Sequence, residues 1–208
     1  KTFTVDTNNK NYTLDDKGVL FTKDMKTLMK YPNKKTETNY TIPESVTSIN
    51  DYSFEGNEIL NTIEMNQNIQ SIGTSAFEGM TQIRSLTFYS NINSIGLKSF
   101  ANMTLLNTIV YLGIQRPECG ENVFINSELI NIIYSKPEYT GGATFCSKSN
   151  KNTINSNGTG GERMKYITTI ENELIIYGEG EMKETEFVKT IQRIIIKEGV
   201  STIVGNSF

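Results

Sequence analysis

Histidine is absent from the 208 residues, and with it go the commonest general base, the Ser-His and Cys-His catalytic couples and the commonest metal ligand. An excess of either charge is also missing. Twenty basic against 23 acidic side chains give a net charge of -3 and a pI near 5.2, so no basic field draws in a phosphate backbone or an anionic membrane surface. Nucleic acid is therefore not expected as a partner. No apolar run approaches the roughly 18 residues that span a bilayer, and the stretch from Lys1 to Lys10 is polar rather than a signal core. Contact with a membrane is expected only through a segment outside this chain. Cysteine occurs twice and proline four times. What is present, 37% apolar and 21% charged residues, is too apolar for general disorder and predicts a globular chain.

The chain repeats itself. "NIQSIGTSAFEGMTQIRSLTFYS" from Asn68 is followed without a gap by "NINSIGLKSFANMTLLNTIVYLG" from Asn91. Rows of that length align Ile49, Ile72 and Ile95; Phe54, Phe77 and Phe100; Leu60, Ile83 and Leu106; Ile63, Leu86 and Ile109; Met65, Phe88 and Tyr111. Apolar identity recurs while the residues between drift. Such a period marks a solenoid in the leucine-rich-repeat range, in which a unit cannot bury its apolar face alone and each supplies the surface its neighbour needs. The expected fold is a leucine-rich repeat solenoid, mainly β, with short parallel strands and short helical or 3-10 turns.

Within each row the L-x-x-L-x-L spacing makes the last members alternate in and out, as in a strand. The outward set is Thr62 and Glu64, then Ser85, Thr87 and Tyr89, then Thr108, Val110 and Leu112. A fourth row, read with Leu129, Ile132 and Tyr134 inside, places Asn131 and Ile133 outside. These ten residues form the candidate ligand-binding face, which turns from polar to apolar along the array. Exposed apolar runs are commonly interaction surfaces. Docking of Val110, Leu112 and Ile133 against a later part of the same chain is the alternative.

Residues 1–35 read as a hairpin-rich N-terminal cap with turns at "NNKN", "DDKG" and "KDMK". Residues 36–146 are the first array, in which the period slips by one at Cys119 and Phe124. Residues 147–161 are almost without apolar content and read as a polar linker or exposed loop. Residues 162–208 read as a hairpin and the start of a second, truncated array, with Ile191, Ile194 and Ile196 in the places of Leu60, Ile63 and Met65.

"TIPESVTSINDYSF", "SIGTSAFEGM" and "IIIKEGVSTI" resemble the BspA-like, or Treponema-type, leucine-rich repeats. "YLGIQRPECGENVF" with "YTGGATFC" is similar to the close of an array in the trichomonad protist versions. Where that family often has cysteine, this chain has Asn57, Met80 and Met103, so no cysteine ladder is available. The resemblance implies a cell-surface or secreted protein without enzymatic activity that adheres to protein or glycoprotein ligands on host cells, matrix or microbes. A structural spacer without its own ligand is the alternative reading, and open repeat ends allow a homodimer.

The remaining candidates are weaker. Cys119 and Cys146 either form an extracellular disulfide at the end of the first array or stay as two thiols. Sequons at Asn11, Asn39, Asn102 and Asn157 are candidate glycosylation sites, with Asn102, inside a repeat turn, the one best suited to packing instead. Asp6 to Lys17 fails as a calcium loop because Lys10, Asn11 and Lys17 occupy positions needing an oxygen ligand, glycine and glutamate. "GTGGE" and "GEGEM" lack the phosphate-loop lysine and read as turns. Asp15 with Asp16, and Glu179 with Glu181, read as solvated turn charges rather than a glycosidase pair. No catalytic residue, metal site or cofactor is expected.

Overall fold

The computed structural model describes residues 2–33, 35–130, 133–152, 154–159, 164–169, 173–178, 180–182, 191 and 193–203. Each row of the repeat closes one coil of a β-solenoid through two short strands. The longer are Thr62–Glu64, Ser85–Phe88, Thr108–Tyr111 and Ile133–Ser135; the shorter are Ser48–Ile49, Ser71–Ile72, Ser94–Ile95 and Glu118–Cys119. Pairing between coils is parallel and in register, with one break among the long strands: Thr62–Glu64 pairs with Asn39–Thr41 in a separate two-stranded sheet and lies alongside Ser85–Phe88 without pairing to it. Ile49 faces Ile72, which faces Ile95 and then Cys119; Leu86 faces Ile109 and then Ile133.

In-register pairing places each column residue on its counterpart one coil away. Phe54, Phe77, Phe100 and Phe124 therefore stack, with ring centroids 5.2, 5.2 and 5.5 Å apart and planes within 7°, 9° and 17° of parallel. All four lie in one buried core with the isoleucine and leucine columns. The coils approach closely enough to dictate glycine in one column: a Cβ on Gly96 would lie 2.5 Å from the Gly73 carbonyl carbon, and one on Gly120 2.5 Å from the Leu97 nitrogen. Tyr12–Leu14, Leu20–Thr22 and Thr27–Lys30 form an antiparallel meander whose last strand pairs in parallel with Ser48–Ile49, so the cap is the first rung of the short-strand ladder.

The segments between strands are turns, and no helix forms among the described residues. Two columns adopt left-handed backbone: Gly56, Gly79, Asn102 and Asn126, and Tyr52, Ser75, Lys98 and Asn122. The first carries the glycine and asparagine such geometry favours. The second carries mostly ordinary residues and gives no sign of itself in the sequence; its helical or 3-10 expectation is replaced by a left-handed bend held by coil-to-coil hydrogen bonds, such as Tyr52 N–H to the Thr74 carbonyl at 2.9 Å. Asn57 in the cysteine column is fully buried, and its Oδ1 accepts from the N–H groups of Ile59 and Leu60 at 3.0 and 2.8 Å.

Three further expectations are corrected. In the fourth row Ile130 and Ile133 are buried in the core, Leu129 is 42% exposed, and Tyr134 pairs with the outward Val110. The slip at Cys119 and Phe124 thus carries through the whole row, and Ile133 is an inward residue. The polar segment is not a loop: Lys148–Asn152 pairs in parallel with Ile133–Ser135, and Ile154–Thr159 pairs antiparallel with Met164–Thr169. Backbone hydrogen bonds suffice for this, since a strand at the end of a ladder needs no apolar side chains. Finally, Glu173–Gly178 pairs in parallel with Arg193–Ile196, and Gly180–Met182 with Val200–Ile203, in a second coil-like arrangement. Ile194 and Ile196, expected inward there, share the side of Leu174 and Ile176 but are 42% and 52% exposed.

Cys119 and Cys146, 27 residues apart in sequence, are joined by a disulfide with a Cα separation of 5.4 Å. It closes the end of the core, where Cys146 is buried beside Phe145. Replacing both cysteines by alanine is expected to lower unfolding free energy by about 3 kcal/mol through the freed loop, read as an earlier urea midpoint.

Five of the ten tyrosines are buried with their phenols shifted upward. Desolvation raises Tyr31 and Tyr139 to about 12, and raises Tyr40, Tyr111 and Tyr177 above the ordinary value of 10.0. The folded chain then keeps protons that the unfolded chain loses above pH 10.0, so stability is intact below that value and falls as pH rises towards about 12. A urea midpoint that holds to the ordinary phenol value and then falls, with part of the tyrosinate absorbance appearing only on unfolding, is the expected result.

Candidate interaction face

The long-strand ladder presents its outward residues as a wall, and a second sheet packs against the apolar part. That sheet consists of Ile154–Thr159, Met164–Thr169, Glu173–Gly178 and Arg193–Ile196. Its strand Glu173–Gly178 is buried throughout, because Ile175 and Tyr177 face the ladder while Leu174 and Ile176 belong to a separate cluster behind it. The continuous apolar run "LIIY" is the sequence signal for a strand covered on both faces.

The seam joins Val110, Leu112 and Tyr134 of the ladder to Ile154, Ile167, Ile175 and Tyr177, with Tyr89 and Ile195 at its margin. At about 1.5–3 kcal/mol for each buried apolar side chain, these contacts outweigh the polar ones and hold the sheet in place. The polar contacts set its position. Lys165 Nζ donates to Glu64 Oε2 at 2.7 Å and lies 5.6 Å from the Tyr89 ring centroid. The hydroxyls of Thr87 and Tyr177 meet at 3.2 Å, each able to donate to the other. Lys197 sits 5.6 Å over the Tyr134 ring, and Arg84 lies 3.5 Å from Glu198.

The ten candidate residues divide accordingly. Val110 and Leu112 are buried in the seam, Thr87 and Tyr89 contact its edge, and Glu64 is ion-paired across it. Thr108 is buried, with its hydroxyl donated to Asn107 Oδ1 at 2.8 Å. Ile133 lies in the core, and Asn131 falls outside the described residues. Thr62 and Ser85 remain half-buried beside the exposed Asn39 and Thr41 of the preceding strand. The open part of the wall is thus its polar end. Tyr134 was missed as a seam partner because the fourth row was read one residue out of register.

Asn11, Asn39 and Asn157 are exposed. Asn102 is half-buried, donating its amide to Glu78 Oε1 at 3.0 Å and accepting from the Asn126 amide at 2.8 Å. Asp15 is occupied in its turn, accepting from the Lys17 and Val19 N–H groups and from the Tyr40 hydroxyl. Glu179 lies outside the described residues.

No curated protein matches the chain. Among solved structures it is similar to a leucine-rich repeat protein from Eubacterium ventriosum, with a TM-score of 0.55 and 25% identity over 70% of this chain and 40% of that one. The pneumococcal vaccine antigen PcpA aligns at a TM-score of 0.44 and 20% identity, over 64% of this chain and 39% of that one. The chain spans about two fifths of the length of each. The family model for the BspA type leucine rich repeat region matches in six copies across residues 30–152, more than half of the chain. With its coils stacked in register over those same residues, the chain belongs to the BspA-type leucine-rich repeat family.

Proposed function

We propose that the chain is a non-enzymatic, protein-binding part of a cell-surface or secreted protein, adhering to host or microbial macromolecules through the polar end of its parallel ladder. The observation that carries this reading is the division of the wall: its apolar end is closed by the chain's own second sheet, while Asn39, Thr41, Thr62 and Ser85 stay accessible in adjoining coils. The Cys119–Cys146 disulfide supports an oxidising, extracellular setting. The lack of histidine and membership of a repeat family support a binding rather than a catalytic role.

Binding to purified matrix glycoproteins and to intact host and microbial cells tests it, with Thr41→Arg/Thr62→Arg as the control. Both positions lie outside the core, so the variant should keep the wild-type urea midpoint and lose at least about tenfold in affinity, as when a few interface residues carry the energy. Equal binding by both proteins would contradict the choice of surface. Absence of any binding would favour the spacer reading, which gains weight from the seam, since docking of the second sheet couples the two repeat units.

A further inference from the structure

The array carries an unfilled row of hydrogen-bond donors at the end away from its hairpin cap. In three successive coils, three N–H groups on alternate turn residues donate to three carbonyls of the next. Tyr52, Phe54 and Gly56 donate to Thr74, Ala76 and Glu78 at 2.9, 2.8 and 2.8 Å; Ser75, Phe77 and Gly79 to Leu97, Ser99 and Ala101 at 2.8, 2.8 and 2.9 Å. Lys98, Phe100 and Asn102 donate to Glu121, Val123 and Ile125 at 3.1, 2.9 and 2.9 Å. The matching donors of the following coil are Asn122, Phe124 and Asn126, and among the described residues nothing accepts from them. Asn122 and Phe124 line a groove of about 410 Å³ whose other side is formed by Cys146, Ser147 and Lys148. That volume lies within the range of about 300–1,000 Å³ typical of ligand sites.

We infer that this groove binds an extended peptide segment of another protein, whose backbone carbonyls on alternate residues stand in for the absent coil. Peptide backbone fits better than a free anion, because the same three donors in each earlier coil meet three separate oxygens rather than converging on one. The groove's lining also contains one acidic and one basic side chain, Glu121 and Lys148, leaving no net charge to hold an anion. A second copy of the chain fits poorly. Of the three carbonyls it would offer from its cap end, those of Asp51, Ser53 and Glu55, two are already taken, Ser53 by the Tyr31 N–H at 2.9 Å and Glu55 by the Asn33 amide at 2.7 Å. Two grooves face to face would set donors against donors. Ile125, 41% exposed beside the disulfide, supplies an apolar contact for the incoming segment. This mode is strand addition at an open edge, and it uses none of the ladder-face residues.

The test is a titration of the isotope-labelled chain with a blocked peptide copying Leu97–Met103, "LKSFANM", whose Leu97, Ser99 and Ala101 carbonyls accept within the array from Ser75, Phe77 and Gly79, the equivalent donors two coils earlier. The amide protons of Asn122, Phe124 and Asn126 should move downfield together and exchange at least about tenfold more slowly, while those of Val123 and Ile125 move less. Ile125→Asp should weaken peptide binding about tenfold and leave the rest of the spectrum unchanged. The inference is overturned if the three resonances stay still at millimolar peptide, or are already protected in the free monomer. It is equally overturned if sodium acetate or phosphate reproduces the shifts, or if self-association protects these amides without peptide.

Discussion

Replacing Phe77 by alanine is expected to remove about 5 kcal/mol of stability. Phe77 is fully buried and stacked between Phe54 and Phe100 at 5.2 Å on each side. Truncating a buried phenylalanine costs about 3–5 kcal/mol in lost transfer energy and cavity, and each lost aromatic pair adds about 0.5–1.5 kcal/mol. Domains of this size are stable by roughly 5–15 kcal/mol, so the variant should lie near the folding threshold. Phe77→Leu keeps most of the volume and should lose about 1–2 kcal/mol, while Glu55→Ala on the exposed side of the equivalent turn one coil earlier should change stability by no more than about 0.5 kcal/mol. Urea unfolding followed by far-ultraviolet circular dichroism separates the three. A Phe77→Ala loss no larger than that of Glu55→Ala would mean that the coils are not stacked on this column.

Val110→Asp should detach the second sheet while leaving the array folded. Val110 has no exposed surface and sits in the seam with Ile167, Ile175 and Tyr177. A carboxylate there is buried against apolar side chains, at a cost of roughly 3–5 kcal/mol for an uncompensated charge. The neighbouring Ile109 points the other way into the array core, so the cost falls on the seam. Limited proteolysis should cleave at Lys165 first in the variant and not in the wild type, with Val110→Ala intermediate. If cleavage is unchanged, the seam is not closed by Val110. For the same reason a charged residue at Val110 is a probe of docking and not of an outside ligand.

The isoleucine, leucine and phenylalanine columns are legible in the sequence because a parallel, in-register coil demands the same residue type at the same step, and apolar burial selects strongly for it. The glycine and asparagine column of left-handed residues is legible for a similar reason. Tyr52, Ser75, Lys98 and Asn122 are not, since the bend they adopt is imposed by hydrogen bonds from coil to coil rather than by their own preference. The fourth row was misread because "LINIIYS" is apolar at adjacent positions, and alternation alone cannot say whether Ile132 or Ile133 faces in. Carrying the one-residue slip of Cys119 and Phe124 forward to Ile130 and Ile133 resolves it. The strands at 148–159 are invisible to apolar patterning, as their pairing is a backbone matter. The apolar turn of the outer wall at Val110 and Leu112 was visible, but its covering rests on the alternation of Lys165, Ile167, Ile175 and Tyr177, which becomes meaningful only once their strands are paired.

A nuclear Overhauser spectrum of methyl-labelled protein tests the division of the wall most directly. Val110 methyl groups should show cross-peaks to Ile167 or Ile175 methyls, more than fifty residues away in sequence. Val110 methyls that see only their own ladder neighbours and are reached by a soluble paramagnetic agent would contradict the closed apolar end, and with it the assignment of binding to the polar end.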